Sequence, residues 1–214
     1  MNQLFETLFS QYSAYSTLDI VLELTAVFFG VVSVLYAKKN NVLVYPSGII
    51  GSMIFVYLLI NWGLFGDFVI NIFYVIMSVY GWYLWARKAN GKDLLKISRT
   101  NSKEKIIASI IFIAAFIFIW IIYIAFDKFD NWTAYVDTLT TAIFFSGMWL
   151  MAKRKIENWI FWIVGDIITV PLYFYKGLTM SSFLYLIYTF IAIAGYLAWR
   201  KSMEESNSLK LETV

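Results

Sequence analysis

The stretch ENWIFWIVGDIITVP, Glu157 to Pro171, places Trp159, Trp162 and Asp166 at intervals of three and four residues. On a helix these positions share one face, so a carboxylate lies one to two turns from two indoles. The segment is otherwise apolar enough for a membrane interior, where a charged group costs roughly 3 kcal/mol or more. No Lys or Arg of the neighbouring segments lies deep enough to neutralise Asp166. It must be protonated, hydrogen-bonded, wetted by a cavity or paired with a cationic ligand.

Other polar residues fall into stripes that could line the same cavity. Asp67, Asn71, Tyr74 and Ser78 follow one another at helical spacing, as do Ser181, Tyr185 and Tyr188. Asp137, Thr140, Thr141 and Phe144 share a third face. The candidate substrate-binding residues are Trp159, Trp162, Asp166, Asn71, Tyr74, Tyr185, Tyr188, Asp137 and Thr141. Each also has a structural reading. Trp159 can serve as an interfacial belt tryptophan, and Trp162 as packing. Asn71 can bond between helices. Glu23 and Asp137 can hydrogen-bond near a membrane surface.

The elements that must carry these residues are membrane helices. The chain has 214 residues, 61% hydrophobic and 14% charged, with a mean hydropathy of +0.70. A soluble domain is nearer about 45–50% apolar and about 25% charged. There is no Cys and no His, which excludes thiol chemistry, His proton relays and the usual His metal sites. With one deep carboxylate and no nucleophile–base pair, the means for an embedded enzyme are thin, and no cofactor is expected. A non-transporting scaffold is the other alternative; there Asp166 and the tryptophans would be dispensable. The net charge of +3 is not a nucleic-acid signal.

A span needs about 20 apolar residues, which predicts seven: 18–37, 43–60, 66–86, 105–126, 133–152, 157–175 and 180–200. The opening lacks the basic region of a cleavable signal, and NQLFETLFSQY within 1–17 has the spacing of a short interfacial helix. The basic stretch 87–104 divides the chain, and the polar tail 201–214 is expected to be disordered. Fifteen of the 17 Lys and Arg fall in alternate connections and after the last span, leaving Lys128 and Lys176 on the opposite side. That bias predicts an outside N-terminus and a cytoplasmic C-terminus.

A shift of 114 positions aligns the halves without a gap. Lys39 meets Lys153, Gly51 meets Gly165, Tyr74 meets Tyr188, Gly81 meets Gly195 and Trp85 meets Trp199, and Glu23 meets Asp137, acid for acid. The fold class expected is therefore all-α integral membrane, with seven transmembrane helices. Two parallel three-helix repeats, 18–86 and 133–200, are joined by a connector helix at 105–126. Such repeats are a transporter signature, with the substrate near midplane. Tyr45, Gly48 and Ser52 stand where the other half has Trp159, Trp162 and Asp166, so the symmetry breaks at this face.

ENWIFW with Asp166 resembles the W-x-x-W-x-x-x-N/D signature of the PnuC (Pnu) family of vitamin transporters, and YGWYLW (80–85) resembles that family's motif at the end of span three. The 3+1+3 layout matches over nearly the whole chain. The resemblance implies a SWEET-like fold, often trimeric, and facilitated uptake of nicotinamide riboside, a precursor in NAD biosynthesis, across the bacterial inner membrane. It implies no ion or ATP coupling, and a cytoplasmic kinase that traps the product. Asp166 stands where many nicotinamide riboside carriers have Asn, and thiamine carriers of the family tend to show an acid. Related members carry riboflavin. Nicotinamide riboside bears a permanent pyridinium charge, and aromatic faces attract cations by about 0.5–2 kcal/mol each. Asn71 matches a family Gln/Asn position that could hold the other end of the ligand.

Overall fold

The computed structural model describes residues 16–61, 65–89, 92–127, 129 and 131–212. Its helices are α1 (Thr17–Lys38), α2 (Val44–Asn61), α3 (Phe65–Ala86), α4 (Ser102–Ala125), α5 (Thr133–Ala152), α6 (Asn158–Tyr175) and α7 (Thr179–Glu212). Strands β1 (Lys88–Ala89) and β2 (Lys92–Asp93) pair antiparallel between α3 and α4. The interfacial helix expected within 1–17 falls on residues 1–15, outside the described residues. Lys128 and the side chain of Asp67 lie outside them too.

Six of these helices are long and apolar enough to cross a membrane. The exception is α5, whose hydropathy is lowered by Thr133, Asp137, Thr138, Thr140, Thr141 and Ser146. Its surroundings explain that composition. Fifteen of its 20 residues are buried, whereas α1 buries only Ala26 and Ala37 of its 22. A helix enclosed by α3, α4 and α6 need not dissolve in lipid, so it can carry hydroxyls if each finds a partner. Thr138 Oγ1 donates to the Ala134 carbonyl (2.9 Å) and Thr140 Oγ1 to the Val136 carbonyl (3.1 Å). Ser146 Oγ reaches across to the Ala108 carbonyl of α4 (3.3 Å). By contrast α1, α4 and α7 turn large side chains such as Phe28, Ile110, Ile117, Ile121 and Phe190 outward.

Helices α1, α2 and α3 pack in succession, and so do α5, α6 and α7. Contacts of α1 with α7 and of α3 with α5 join the groups, and α4 lies along α5. Where α1 passes into α2, Lys39 N–H bonds the Leu35 carbonyl (3.2 Å) and Asn41 N–H the Tyr36 carbonyl (2.9 Å). Where α5 passes into α6, Lys153 N–H bonds the Trp149 carbonyl (3.1 Å) and Lys155 N–H the Leu150 carbonyl (2.9 Å). The residue between turns left-handed in both cases, Asn40 at φ 51° and Arg154 at φ 50°.

This basic end of the bundle holds the largest buried rings. Trp85 Nε1 donates to the Ala152 carbonyl (3.1 Å) and Trp199 Nε1 to the Ala37 carbonyl (3.0 Å). The two indoles meet at 5.9 Å. Tyr45 stands edge-on to Trp85 (5.1 Å, 89°) and Trp159 edge-on to Trp199 (5.5 Å, 88°). Glycine makes room for both: a Cβ on Gly81 would overlap the Tyr45 ring, and one on Gly195 would lie 2.6 Å from Trp159 Cη2. In lipid no hydrophobic drive brings helices together, so close packing at small residues and interhelical hydrogen bonds, about 0.6–1.7 kcal/mol each, must do it.

The stretch 87–104 is not a free linker. Arg154 Nη1 bonds Asp93 Oδ2 (2.8 Å) and the Leu95 carbonyl, with its guanidinium 4.2 Å over Trp85. Ser98 pairs with the α5–α6 turn through its N–H to the Arg154 carbonyl (3.1 Å), and its carbonyl accepts from Ile156 N–H (3.0 Å). Lys155 Nζ bonds Ser98 Oγ (2.9 Å) and Glu104 Oε1 (2.8 Å). The Thr100 N–H bonds Glu157 Oε2 (3.0 Å). The tail, expected to be disordered, continues α7 as helix to Glu212. No Gly or Pro interrupts it, and Arg200–Glu204 (2.9 Å) and Lys201–Glu205 (3.8 Å) pair across one turn.

Candidate functional site

Asp166 lies near the middle of α6 and is 2% exposed. Among the described residues no Lys or Arg pairs with it, although Asp93, Glu104, Asp137, Glu204 and Glu205 each have a basic partner. Three tyrosines from other helices lie within electrostatic reach of its carboxyl: Tyr74 of α3 and Tyr185 and Tyr188 of α7. The chain thus converges on Asp166 from both halves, through the contact of α3 with α5 and the packing of α7 on α6.

Aromatic rings surround this carboxylate. Trp162, one turn before it on α6, stacks with Phe144 of α5 (5.4 Å, 24°). The same Phe144 ring stacks with Tyr185 (6.0 Å, 24°). Tyr185 stands edge-on to Tyr188 (6.0 Å, 88°) and to Tyr173 (5.2 Å, 79°). On the α3 side, Tyr74 meets Phe145 (6.0 Å), which stacks flat on Phe73 (3.7 Å, 6°). The Tyr188 hydroxyl reaches α1, where a Cβ on Gly30 would lie 2.7 Å from it.

Of the nine candidates from the sequence, Asp166, Trp162, Tyr74, Tyr185 and Tyr188 form this group. Asn71 lies one turn before Tyr74 on α3 and is half-buried. Thr141, buried on α5, is one turn before Phe144 and Phe145. Two others are engaged elsewhere. Trp159 packs on Trp199 and Gly195 at the basic end, is 1% exposed, and its buried Nε1 has no hydrogen-bond partner among the described residues. Asp137 is held by Lys176, whose Nζ is 2.7 Å from Oδ2. Phe144 shared a predicted face with Asp137 and Thr141 but is apolar, so polarity did not select it. Tyr173 was missed altogether; it joins the group through the ring of Tyr185 on α7 (5.2 Å), a contact between helices that no local spacing marks.

Asp166 belongs to the protein interior and not to the lipid side. A groove of about 500 Å³ does open between α6 and α7, but Val170, Pro171, Phe174 and Leu186 line it and no acid reaches it. The arrangement around Asp166 offers a buried carboxyl with no basic partner among the described residues, beside ring faces. That is the chemistry of a site for a flat, positively charged group.

Comparison with known proteins places the chain in a family. Residues 20–201 match the profile of the nicotinamide mononucleotide transporter family. The nicotinamide riboside transporter PnuC of Escherichia coli (strain K12) is 24% identical over 209 residues, covering 85% of this chain and 86% of that one. The riboflavin/roseoflavin transporter RibM of Streptomyces davaonensis is 28% identical over 133 residues, 58% of this chain and 60% of that one. A crystal structure of the vitamin B3 transporter PnuC shares the fold with a TM-score of 0.65 at 20% identity, over 88% of this chain and 84% of that one. With its profile matched along most of its length, a membrane-helix fold and the tryptophan–acid motif in place, the chain belongs to the nicotinamide mononucleotide transporter family, the PnuC-type carriers its motif resembles.

Proposed function

We propose that the chain carries nicotinamide riboside by facilitated diffusion across the bacterial inner membrane. The observation that carries this reading is Asp166, buried among rings on several helices with no basic partner among the described residues. The riboside's pyridinium supplies the missing positive charge, and rings such as Trp162 and Tyr185 supply faces for it. Asn71, Tyr74, Tyr188 and Thr141 are the groups we assign to the carboxamide and ribose. Trp159 and Asp137 border the path at either end. The family description names the mononucleotide, but a phosphate adds about −1.5 to −2 charges beside a buried carboxylate, which favours the riboside. The relative from Escherichia coli is named for the riboside.

In the arrangement we propose, α5 is a seventh span. Repeats α1–α3 and α5–α7 run parallel, with α4 as connector. The paired turns at Asn40 and Arg154 and the paired indoles support it. The bias of Lys and Arg supports an outside N-terminus and a cytoplasmic C-terminus. A cytoplasmic kinase then traps the product, and the protein works as a trimer, as the family resemblance implies. Thiamine is the second reading. Its thiazolium is also a permanent cation, and an acid at position 166 is what the thiamine members tend to show.

Uptake of labelled riboside into proteoliposomes tests the mechanism. Saturable uptake that survives an uncoupler is expected. Loss of uptake with the uncoupler would instead make Asp166 or Glu23 a proton carrier.

A further inference from the structure

We propose that Phe144 is a displaceable stand-in for the transported ring: its phenyl occupies the stacking place on Trp162 that the ligand's ring takes, and it swings aside on binding. The inference rests on the assignment of the Asp166 group as the vitamin site. Three observations carry it.

Among the described residues, Phe144 is the one ring stacked with both Trp162 (5.4 Å) and Tyr185 (6.0 Å), each within 24° of parallel. These are the distances at which offset aromatic rings attract. The phenyl also rests on Gly165, the residue next to Asp166; a Cβ there would overlap it. A ring in its place would rest on the α6 backbone at the residue before Asp166.

The corresponding place in the other half shows that the helix pair does not need a ring there. Position 30 is glycine, and α2 packs directly on the α1 backbone: a Cβ on Gly51 would lie 3.0 Å from the Ala26 carbonyl oxygen and 3.4 Å from Gly30 N. Phe144 is therefore a wedge between α5 and α6 that the first half lacks. Finally, a phenyl has no polar atom, so its departure strands no hydrogen bond. A charged ring gains Asp166 as well as the stack, which is the differential affinity needed to displace a neutral occupant.

A resident ring lowers the apparent affinity of whatever replaces it. Phe144→Leu and Phe144→Met keep the bulk and remove the ring. Both are expected to tighten nicotinamide riboside about threefold to tenfold by calorimetry on the purified full-length protein. Weaker or unchanged binding in variants that melt like the parent overturns the proposal while leaving the transported ligand as assigned. A parent protein that binds no riboside removes the assignment and the proposal together. A fluorine label on the ring of Phe144 gives a readout that does not depend on the variants folding. Its resonance is expected to move with the same saturation as binding, and a resonance that stays fixed at saturating riboside overturns the proposal.

Discussion

At the basic end, Asn40 and Arg154 hold φ of 51° and 50°, and the hydrogen bonds that close their turns agree within 0.1 Å. Trp85 and Trp199 each cap the opposite group of helices through an indole N–H. Half a helix deeper the likeness ends. Gly48, Ser52 and Gly30 stand in one half where Trp162, Asp166 and Phe144 stand in the other. The matched end is scaffold: two copies of one packing solution, each needing a glycine under a ring and a carbonyl for an indole. The unmatched middle is where an asymmetric ligand can be told apart from its mirror placement, so on the proposed reading one site is expected there and not two.

That contrast predicts unequal effects at the middle and equal ones at the end. Asp166→Ala is expected to weaken riboside binding about a hundredfold or more, because it removes the carboxyl assigned to pair with the cation. Its twin Ser52→Ala should leave affinity within about twofold. Calorimetry on both variants checks the pair, with melting curves to show that each is folded. Gly81→Leu and Gly195→Leu should each cost roughly 1–3 kcal/mol of stability by overpacking, and by similar amounts. A large difference in their melting temperatures would break the idea of a twice-used scaffold. Trp162→Ala should weaken binding about tenfold, the loss of a ring face and its packing. The smallest pair is Trp85→Phe and Trp199→Phe, about 0.6–1.7 kcal/mol each for one interhelical hydrogen bond, with riboside affinity unchanged.

The helices were legible because runs of about 20 apolar residues are the strongest signal a sequence carries: one helix lies on each of the seven runs, and six of the seven are long and apolar enough to cross a membrane. The enclosure of α5 was not read from its threonines, though they record it: lipid would not tolerate them and a protein neighbourhood does. The 87–104 stretch read as a charged divider because its partners are distant in sequence. Asp93 meets Arg154 across 61 positions and Lys176 meets Asp137 across 39. No local pattern encodes such pairs. Helical periodicity put Asp166 and Trp162 one turn apart on α6. It also grouped Trp159 with them, but seven residues is about 10 Å along a helix. A shared face is not a shared level, and Trp159 packs on Trp199 instead.

The central claim is that Asp166 makes this a site for a cationic riboside. Titration calorimetry of the wild-type protein and Asp166→Ala against nicotinamide riboside and its mononucleotide, with thiamine and riboflavin alongside, tests it most directly. Saturable riboside binding to the wild type is predicted, with binding about a hundredfold weaker or more in Asp166→Ala and none of the mononucleotide to either. Mononucleotide bound as tightly as riboside, or Asp166→Ala that binds riboside within about tenfold of the wild type, would contradict it.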